Sequence, residues 1–536
     1  MSLFEKYEKR EISLSNLLKS LENEFSDDTR KKNGITFTPL TLTDYILSQI
    51  GDTITPESKI CDISVGSGAI LIVILRYLIK TLDINPISAI KMIYGYDINP
   101  TNVENTKKLI QSYIKRDYLL DINADELQIH QVDSLLNDVG CDYTHIIMNP
   151  PYVRIQELGV DYKEELAKNY LTAKEGSYDL YFLFIEKAMS IIKEDGLVVS
   201  INPRNYIFNN TSFSLRKFLI SNKFISRIDD FGSEMLFDDQ TYTAVSYLSK
   251  SNSQIEYNEL NLDKTIKSTK VIDYLDITDT TKYEFMSNLD SYKFDNPDYV
   301  RLKDLYEITI GCQIYSDKNF ICDRWDGNYA YPILDGMEYK VELESTKDMI
   351  IVEKGELVFY KCIYPYKKDS GKPLPYTEDE LSSKFPKLYD YMLKLKSILI
   401  KRDGGKFKGE WFEYGRRQGL DVGDIDFIFT TYSKKNNFIR YNTSDILFSG
   451  TKSRGFSPKI EMLSEYVDII ESIINSDVFL EYTKPRTSMI AGGYYSFGTR
   501  VIEEFKIPKC SDDLIESYQN AKISNNIDIF IQNIYS

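Results

Sequence analysis

The chain has 536 residues, which at about 100–200 residues per domain means two or more domains with substantial cores. Hydrophobic residues make up 42% and charged residues 27%, which excludes a disordered chain. The formal charge of −16 at pH 7, taken as a sum, argues against a polyanionic partner.

Residues 1–30 read as an amphipathic helix followed by a charged, polar turn, with no apolar run of signal-peptide type. From about 36 to 250, strand and helix patterns alternate. A short strand over 58–62 ends at the turn Asp62-Ile-Ser-Val-Gly66-Ser-Gly68, and an apolar helix starts at Ala69. That helix is broken by Arg76 and is too short to span a bilayer, so the protein is expected to be cytoplasmic and free of membrane. Strand 91–97, helix 102–118 and strands 126–132 and 143–148 follow, then helix 181–193 and strand 197–201. The alternation predicts an α/β domain with a mostly parallel sheet. Residues 251–300 are rich in Asp, Asn, Ser and Thr and read as a connection with little core. Residues 301–536 mix short strands and helices, which predicts a second domain of mixed α+β character.

Six scattered cysteines (61, 141, 312, 322, 362 and 510) predict a reducing compartment and no metal knuckle. Two histidines, His130 and His145, leave little material for a multi-histidine zinc site or a histidine-based triad. Charge is unevenly spread: residues 1–300 carry 32 basic and 45 acidic side chains, whereas 391–460 carry 14 basic and 7 acidic. A cationic stretch in the second domain can therefore still meet phosphates.

The strongest chemical signal is Asn149-Pro150-Pro151-Tyr152 at the end of strand 143–148. Two prolines fix an extended turn and remove two N–H donors, leaving carbonyls free to accept. The Asn149 side-chain oxygen and the Pro150 carbonyl can then take both hydrogens of an exocyclic amino group, freeing its lone pair. Tyr152 offers a face on which a planar base can stack. A plain loop after a buried strand is the competing reading of the same residues. Gly66 and Gly68 suit a backbone that turns tightly against a ligand at a helix N-terminus. Asp97, ending the next strand, is placed to accept ribose hydroxyls, and Asp133 ends a third strand candidate.

Taken in order, these motifs resemble the gamma class of S-adenosylmethionine-dependent N6-adenine DNA methyltransferases. Gly34-Ile-Thr-Phe-Thr38-Pro39 resembles that class's N-terminal cofactor motif, and Asp179-Leu-Tyr-Phe-Leu-Phe184 its adenine-side helix. Glu194 to Pro203 resembles the following Gly-strand-Pro element, and Phe237 aligns with an aromatic of the base pocket. The glycine turn departs from the family's usual Asp-Pro-Ala-Cys-Gly-x-Gly. The resemblance implies a Rossmann-like methyltransferase domain over 31–255, a linker over 256–300 and a DNA target-recognition domain over 301–536. It implies S-adenosyl-L-methionine as cofactor: Thr36, Thr38, Asp62, Gly66 and Gly68 around its methionine part, Asp97 on the ribose, and Asp133 and Phe184 on the adenine. Catalysis would fall to Asn149, Pro150, Pro151 and Tyr152, with Tyr152 and Phe237 framing a flipped adenine.

Double-stranded DNA is the implied partner, with Lys401, Arg402, Lys406, Lys408, Arg416, Arg417, Gln418, Lys452 and Arg454 as candidate contacts. For each of these an ordinary solvated loop is the competing reading. About thirty residues precede the first cofactor motif, so any restriction endonuclease is expected as a separate chain, and the enzyme as a monomer. The role implied is that of a modification enzyme of a restriction-modification or epigenetic system. An RNA or protein-glutamine methyltransferase, and a non-catalytic DNA-binding or assembly subunit, remain as alternatives. The size of the second domain favours DNA.

Overall fold

A computed structural model describes residues 2–22, 38–174, 178–207, 209–232, 242–277, 294, 296–353, 356–369, 371–402, 407–421, 423–443, 446–487, 489–490 and 494–536. It divides into two compact units, Met1–Ser287 and Asn288–Ser536.

The first unit opens with two helices, α1 (Leu3–Glu8) and α2 (Leu14–Glu22), where the sequence suggests one. Ser2 and Glu5 form a capping box at the start of α1. The chain breaks after it at Arg10, which takes a left-handed conformation with φ of 61°. Helix α3 (Leu40–Ile50) follows, then β1 (Ile60–Asp62) and α4 (Ala69–Lys80). Helix α4 is apolar on nearly every face, which fits an element packed on several sides rather than a surface helix. It shares its core with Tyr7, Leu17 and Leu18 of the first two helices.

Helix α5 (Pro86–Met92) leads into β2 (Ile93–Asp97), and α6 (Pro100–Tyr118) leads to β3 (Gln128–Gln131). Beyond β4 (Tyr143–Met148) come α7 (Val160–Asn169), α8 (Leu180–Ile191) and β5 (Ile192–Pro203). Helix α9 (Phe213–Ser221), β6 (Ile225–Asp230), β7 (Thr243–Leu248), β8 (Gln254–Leu260) and β9 (Ile266–Asp273) complete the unit. The strands form one nine-stranded sheet in the order β3-β2-β1-β4-β5-β7-β6-β8-β9. From β3 to β5 every pairing is parallel; β7 runs antiparallel to both β5 and β6. The class is α/β, with the mostly parallel sheet that the alternation predicts.

The expected connection over 256–300 needs correction. Its first part is β8 and β9, which extend the sheet by two strands, with Ile255, Tyr257 and Ile272 buried. Strand β9 shows solvent most of its side chains, and its Lys267 and Lys270 suit a sheet edge that must not pair further. Half-solvated strands at an edge keep the polar composition of a loop. Residues 278–293 and 295 lie outside the described residues.

In the second unit, strands Tyr306–Ile310, Ser453–Pro458, Ile425–Thr430 and Ile439–Thr443 form an antiparallel sheet in that order. Its core is aromatic: Phe438 stacks on Phe456 at 5.7 Å and 9°, with Phe427, Phe429 and Phe479 around them. A second four-stranded sheet includes the hairpin Thr346–Glu353 and Glu356–Ile363, and helices such as Pro386–Leu399 and Ser464–Ile474 accompany the strands. The unit is mixed α+β. Among the described residues, no helix is long and apolar enough to cross a membrane.

Candidate active site

Strands β1, β2 and β4 are parallel neighbours, so their C-terminal ends share one edge of the sheet. In open α/β sheets that edge forms the ligand crevice where the strand order reverses, here on either side of β1. A cavity of about 430 Å³ opens there, a size typical of small-molecule sites. Thr38, Gly66, Asp97, Asp133, Asn149, Pro151 and Phe184 all line it, brought together from six separate points in the chain.

The glycine turn is built for this place. Gly68, at φ +81°, caps α4, and a Cβ there would stand 2.8 Å from Thr106 Oγ1. The Gly66 N–H donates to Asp97 Oδ2 at 2.8 Å, and Asn102 Nδ2 reaches the same oxygen at 3.2 Å. Asp97 Oδ1 accepts from the Asn99 N–H at 2.8 Å. These bonds oppose the burial that raises the Asp97 carboxyl above its ordinary range. Asp62 lies buried at the end of β1, where Ser64 donates to its Oδ1 through N–H and hydroxyl. Its Oδ2 is buried without a partner, and burial pushes the carboxyl up to about 7. Asp62 does not itself line the cavity; it lies directly before the lining residues Ile63 and Ser64, where a ligand with a cationic group would suit its unpaired oxygen. Asp133 Oδ1 accepts from the Leu135 and Leu136 N–H groups, and its Oδ2 from the Tyr162 hydroxyl at 3.0 Å.

Beyond Met148 the chain runs into Asn149-Pro-Pro-Tyr. Asn149 Nδ2 donates to Thr38 Oγ1 at 3.0 Å, and Asn149 Oδ1 accepts from the Tyr152 hydroxyl at 2.7 Å. The Tyr152 hydroxyl also lies 3.3 Å from the Ile201 carbonyl of β5, and its ring meets Tyr181 edge-on at 6.0 Å. An amide oxygen has two lone pairs, so Asn149 Oδ1 keeps one for a further donor. Neither histidine lines the cavity. His145 sits in β4 between the Thr53 and Thr144 hydroxyls, each at 2.9 Å, and burial pushes its imidazole down to about 4.

Two expected site residues, Thr36 and Phe237, lie outside the described residues. Two others were not anticipated. Asn102 orients Asp97 from the first turn of α6; its signal is Asn99-Pro100, a capped helix start that places Asn102 back over the strand end. Tyr162 reaches Asp133 from α7, and nothing local in the sequence marks it.

In the second unit the backbone joins candidates far apart in sequence. Gln313 bridges to Arg416, Cys312 to Ser449, and the Gly450 N–H donates to the Cys312 carbonyl. Arg416 to Gln418 and Lys452 to Arg454 therefore flank one strip of chain. Lys401, Lys408, Arg416, Gln418 and Lys452 are exposed. Arg417 is exposed as well, but its guanidinium is paired with the buried Glu413. Arg454 turns inward to the Gly450 and Ser453 carbonyls. The expectation for Arg402 is corrected: it is 1% exposed, stacks 3.6 Å over Phe407, and donates to the carbonyls of Glu410, Trp411 and Glu413. It holds its own loop together and does not face a ligand. Lys406 lies outside the described residues.

With this geometry in hand, comparison with known proteins agrees with the motifs. Residues 91–237 match the Eco57I restriction-modification methylase family. The chain is similar to restriction-modification methylases. It is 27% identical over 465 residues to the type II restriction enzyme and methyltransferase RM.Eco57I of Escherichia coli, covering 77% of this chain and 44% of that one. It is 26% identical over 351 residues to the type II methyltransferase M.BanIII of Aneurinibacillus aneurinilyticus, covering 55% of this chain and 59% of that one. The chain thus spans about half the length of these curated relatives. Among solved structures, the type IIL restriction-modification enzyme MmeI in complex with DNA matches with a TM-score of 0.55 at 12% identity, over 94% of this chain and 68% of that one. That likeness shows the fold.

Proposed function

We propose that the protein is a restriction-modification DNA methyltransferase that transfers a methyl group from S-adenosylmethionine to the N6 of an adenine flipped out of duplex DNA. One observation carries the reading: Asn149 and Pro151 of the Asn-Pro-Pro-Tyr turn line the same cavity as Gly66, Asp97 and Asp133, so an amino-group acceptor stands beside a site of cofactor size. The similarity to type II methyltransferases supports it. In this reading Thr38, Asp62 and the glycine turn hold the amino-acid end of the cofactor, Asp97 the ribose, and Asp133 and Phe184 the adenine. When bound, the cofactor supplies an electrophilic methyl group.

Asn149 Oδ1 and the Pro150 carbonyl accept the two N6 hydrogens, which draws the nitrogen lone pair out of conjugation and aims it into the cavity. Tyr152 supplies the stacking face that repays part of the unstacking cost, about a few kcal/mol. Orientation of the amino group provides much of the acceleration. The proton leaves afterwards to water, which accords with two histidines lying outside the cavity.

The test is incorporation of labelled methyl groups into unmethylated genomic DNA. Wild type should label N6 of adenine; Asn149→Ala should lose transfer by about 10²-fold or more while keeping its unfolding midpoint. Labelling of RNA or protein with none in DNA, or equal activity of the variant, would overturn the proposal.

A further inference from the structure

Asn149 is held from both sides by hydroxyl groups, Thr38 at its Nδ2 and Tyr152 at its Oδ1. A hydroxyl donates or accepts with equal ease, so these two contacts satisfy either orientation of the amide. The chemistry proposed above needs only one, with Oδ1 turned toward the target amino group. Tyr152 does not impose it, because its hydroxyl has the Ile201 carbonyl at 3.3 Å as a second acceptor and can accept from an amide N–H instead. Thr38 can. It is 5% exposed, it lines the cavity with Gly66 and Asp97, and while it accepts from Asn149 its own hydrogen has no acceptor among the described residues.

We infer that Thr38 is a positioning residue that relays occupancy of the cofactor cavity to the base acceptor. An anionic group of the ligand, the carboxylate of its amino-acid end, accepts the Thr38 hydroxyl hydrogen. Thr38 Oγ1 is then obliged to accept, Asn149 must present Nδ2 to it, and Oδ1 turns to the target. The coupling is reciprocal: an Asn149 amide donating to Thr38 polarises the hydroxyl and strengthens its bond to the carboxylate. This inference rests on the cofactor reading given above.

The experiment is titration calorimetry of the full chain with S-adenosylhomocysteine and, in parallel, with 5′-methylthioadenosine, which lacks the amino-acid end. Thr38→Val should weaken S-adenosylhomocysteine about tenfold, as expected for losing one hydrogen bond to a charged group. Thr38→Ser should restore it to within about twofold, and methylthioadenosine should bind both variants as it binds wild type. Asn149→Ala should weaken S-adenosylhomocysteine severalfold when Thr38 is present and have no effect on the Thr38→Val background. Additive losses, or equal weakening of both ligands, would overturn the relay alone. A wild type that binds neither ligand would remove the cofactor reading and the relay with it.

Discussion

Asp62 shows how one buried side chain beside the glycine turn ties stability to pH. Its carboxyl stands at about 7 in the folded chain against an ordinary 3.8, chiefly because burial disfavours the charge, with the Ser64 hydrogen bonds pulling the other way. Between these two values the folded state holds a proton that the unfolded state has released. Wild-type stability from this group therefore falls as pH rises from about 4 to 7 and levels off above. Asparagine cannot ionise, so Asp62→Asn should gain on wild type by about 2–4 kcal/mol from pH 4 to pH 8, read by urea unfolding. A difference that does not change with pH would show that Asp62 does not titrate in this window. The places of Asp97 and Asn149 on the cavity were readable at this scale because strand ends beside glycine or proline fix where a side chain must lie, and that of Asp133 because it closely follows a third parallel strand. Arg402 and Tyr162 were not. A basic residue among glycines reads as solvated whether or not its guanidinium finds three carbonyls, and Tyr162 acquires its role only when α7 folds back over Asp133.

At the level of elements, the sheet was legible wherever strands are buried on both faces. Strand β4, Tyr-Thr-His-Ile-Ile-Met, announces itself by an almost continuous apolar run. Strands β8 and β9 do not, since Gln, Glu, Ser, Thr and Lys on their more solvated positions, together with the buried Asn258, hide the period of two. The second unit hides its organisation differently, in close backbone approaches that have no sequence periodicity. A Cβ on Gly419 would lie 2.3 Å from the Gly311 carbonyl carbon, and one on Gly450 would lie 2.2 Å from the Gly311 oxygen. Gly419 also has a φ of +75°. Gly419→Ala should thus cost about 2–4 kcal/mol from clash and backbone strain together. Both tryptophans, Trp325 and Trp411, belong to the second unit, so intrinsic tryptophan fluorescence during urea unfolding reports this unit directly. An unchanged fluorescence midpoint would mean that the three glycine segments separate without cost.

For the molecule as a whole, a net charge of −16 predicts repulsion from a polyanion, yet 33 basic and 36 acidic side chains nearly balance over residues 301–536. The exposed cations of that unit are fewer than the sequence suggests, because Arg402 and Arg454 are committed to carbonyls and Arg417 to Glu413. Arg416 and Lys452 remain exposed on segments that the Gly311 contacts hold side by side. If they meet phosphates, each contributes about 0.9 to the slope of log affinity against log salt concentration. Duplex binding by the wild-type chain should accordingly weaken steeply with salt. Arg416→Ala with Lys452→Ala should lower affinity at low salt and flatten the slope by about 2, measured by fluorescence anisotropy on a mixed-sequence duplex between low and moderate salt. The same pair should leave S-adenosylhomocysteine affinity untouched, since both residues belong to the second unit and the cofactor cavity to the first. A slope equal to wild type would remove these two residues from the DNA face, whatever the outcome for methyl transfer.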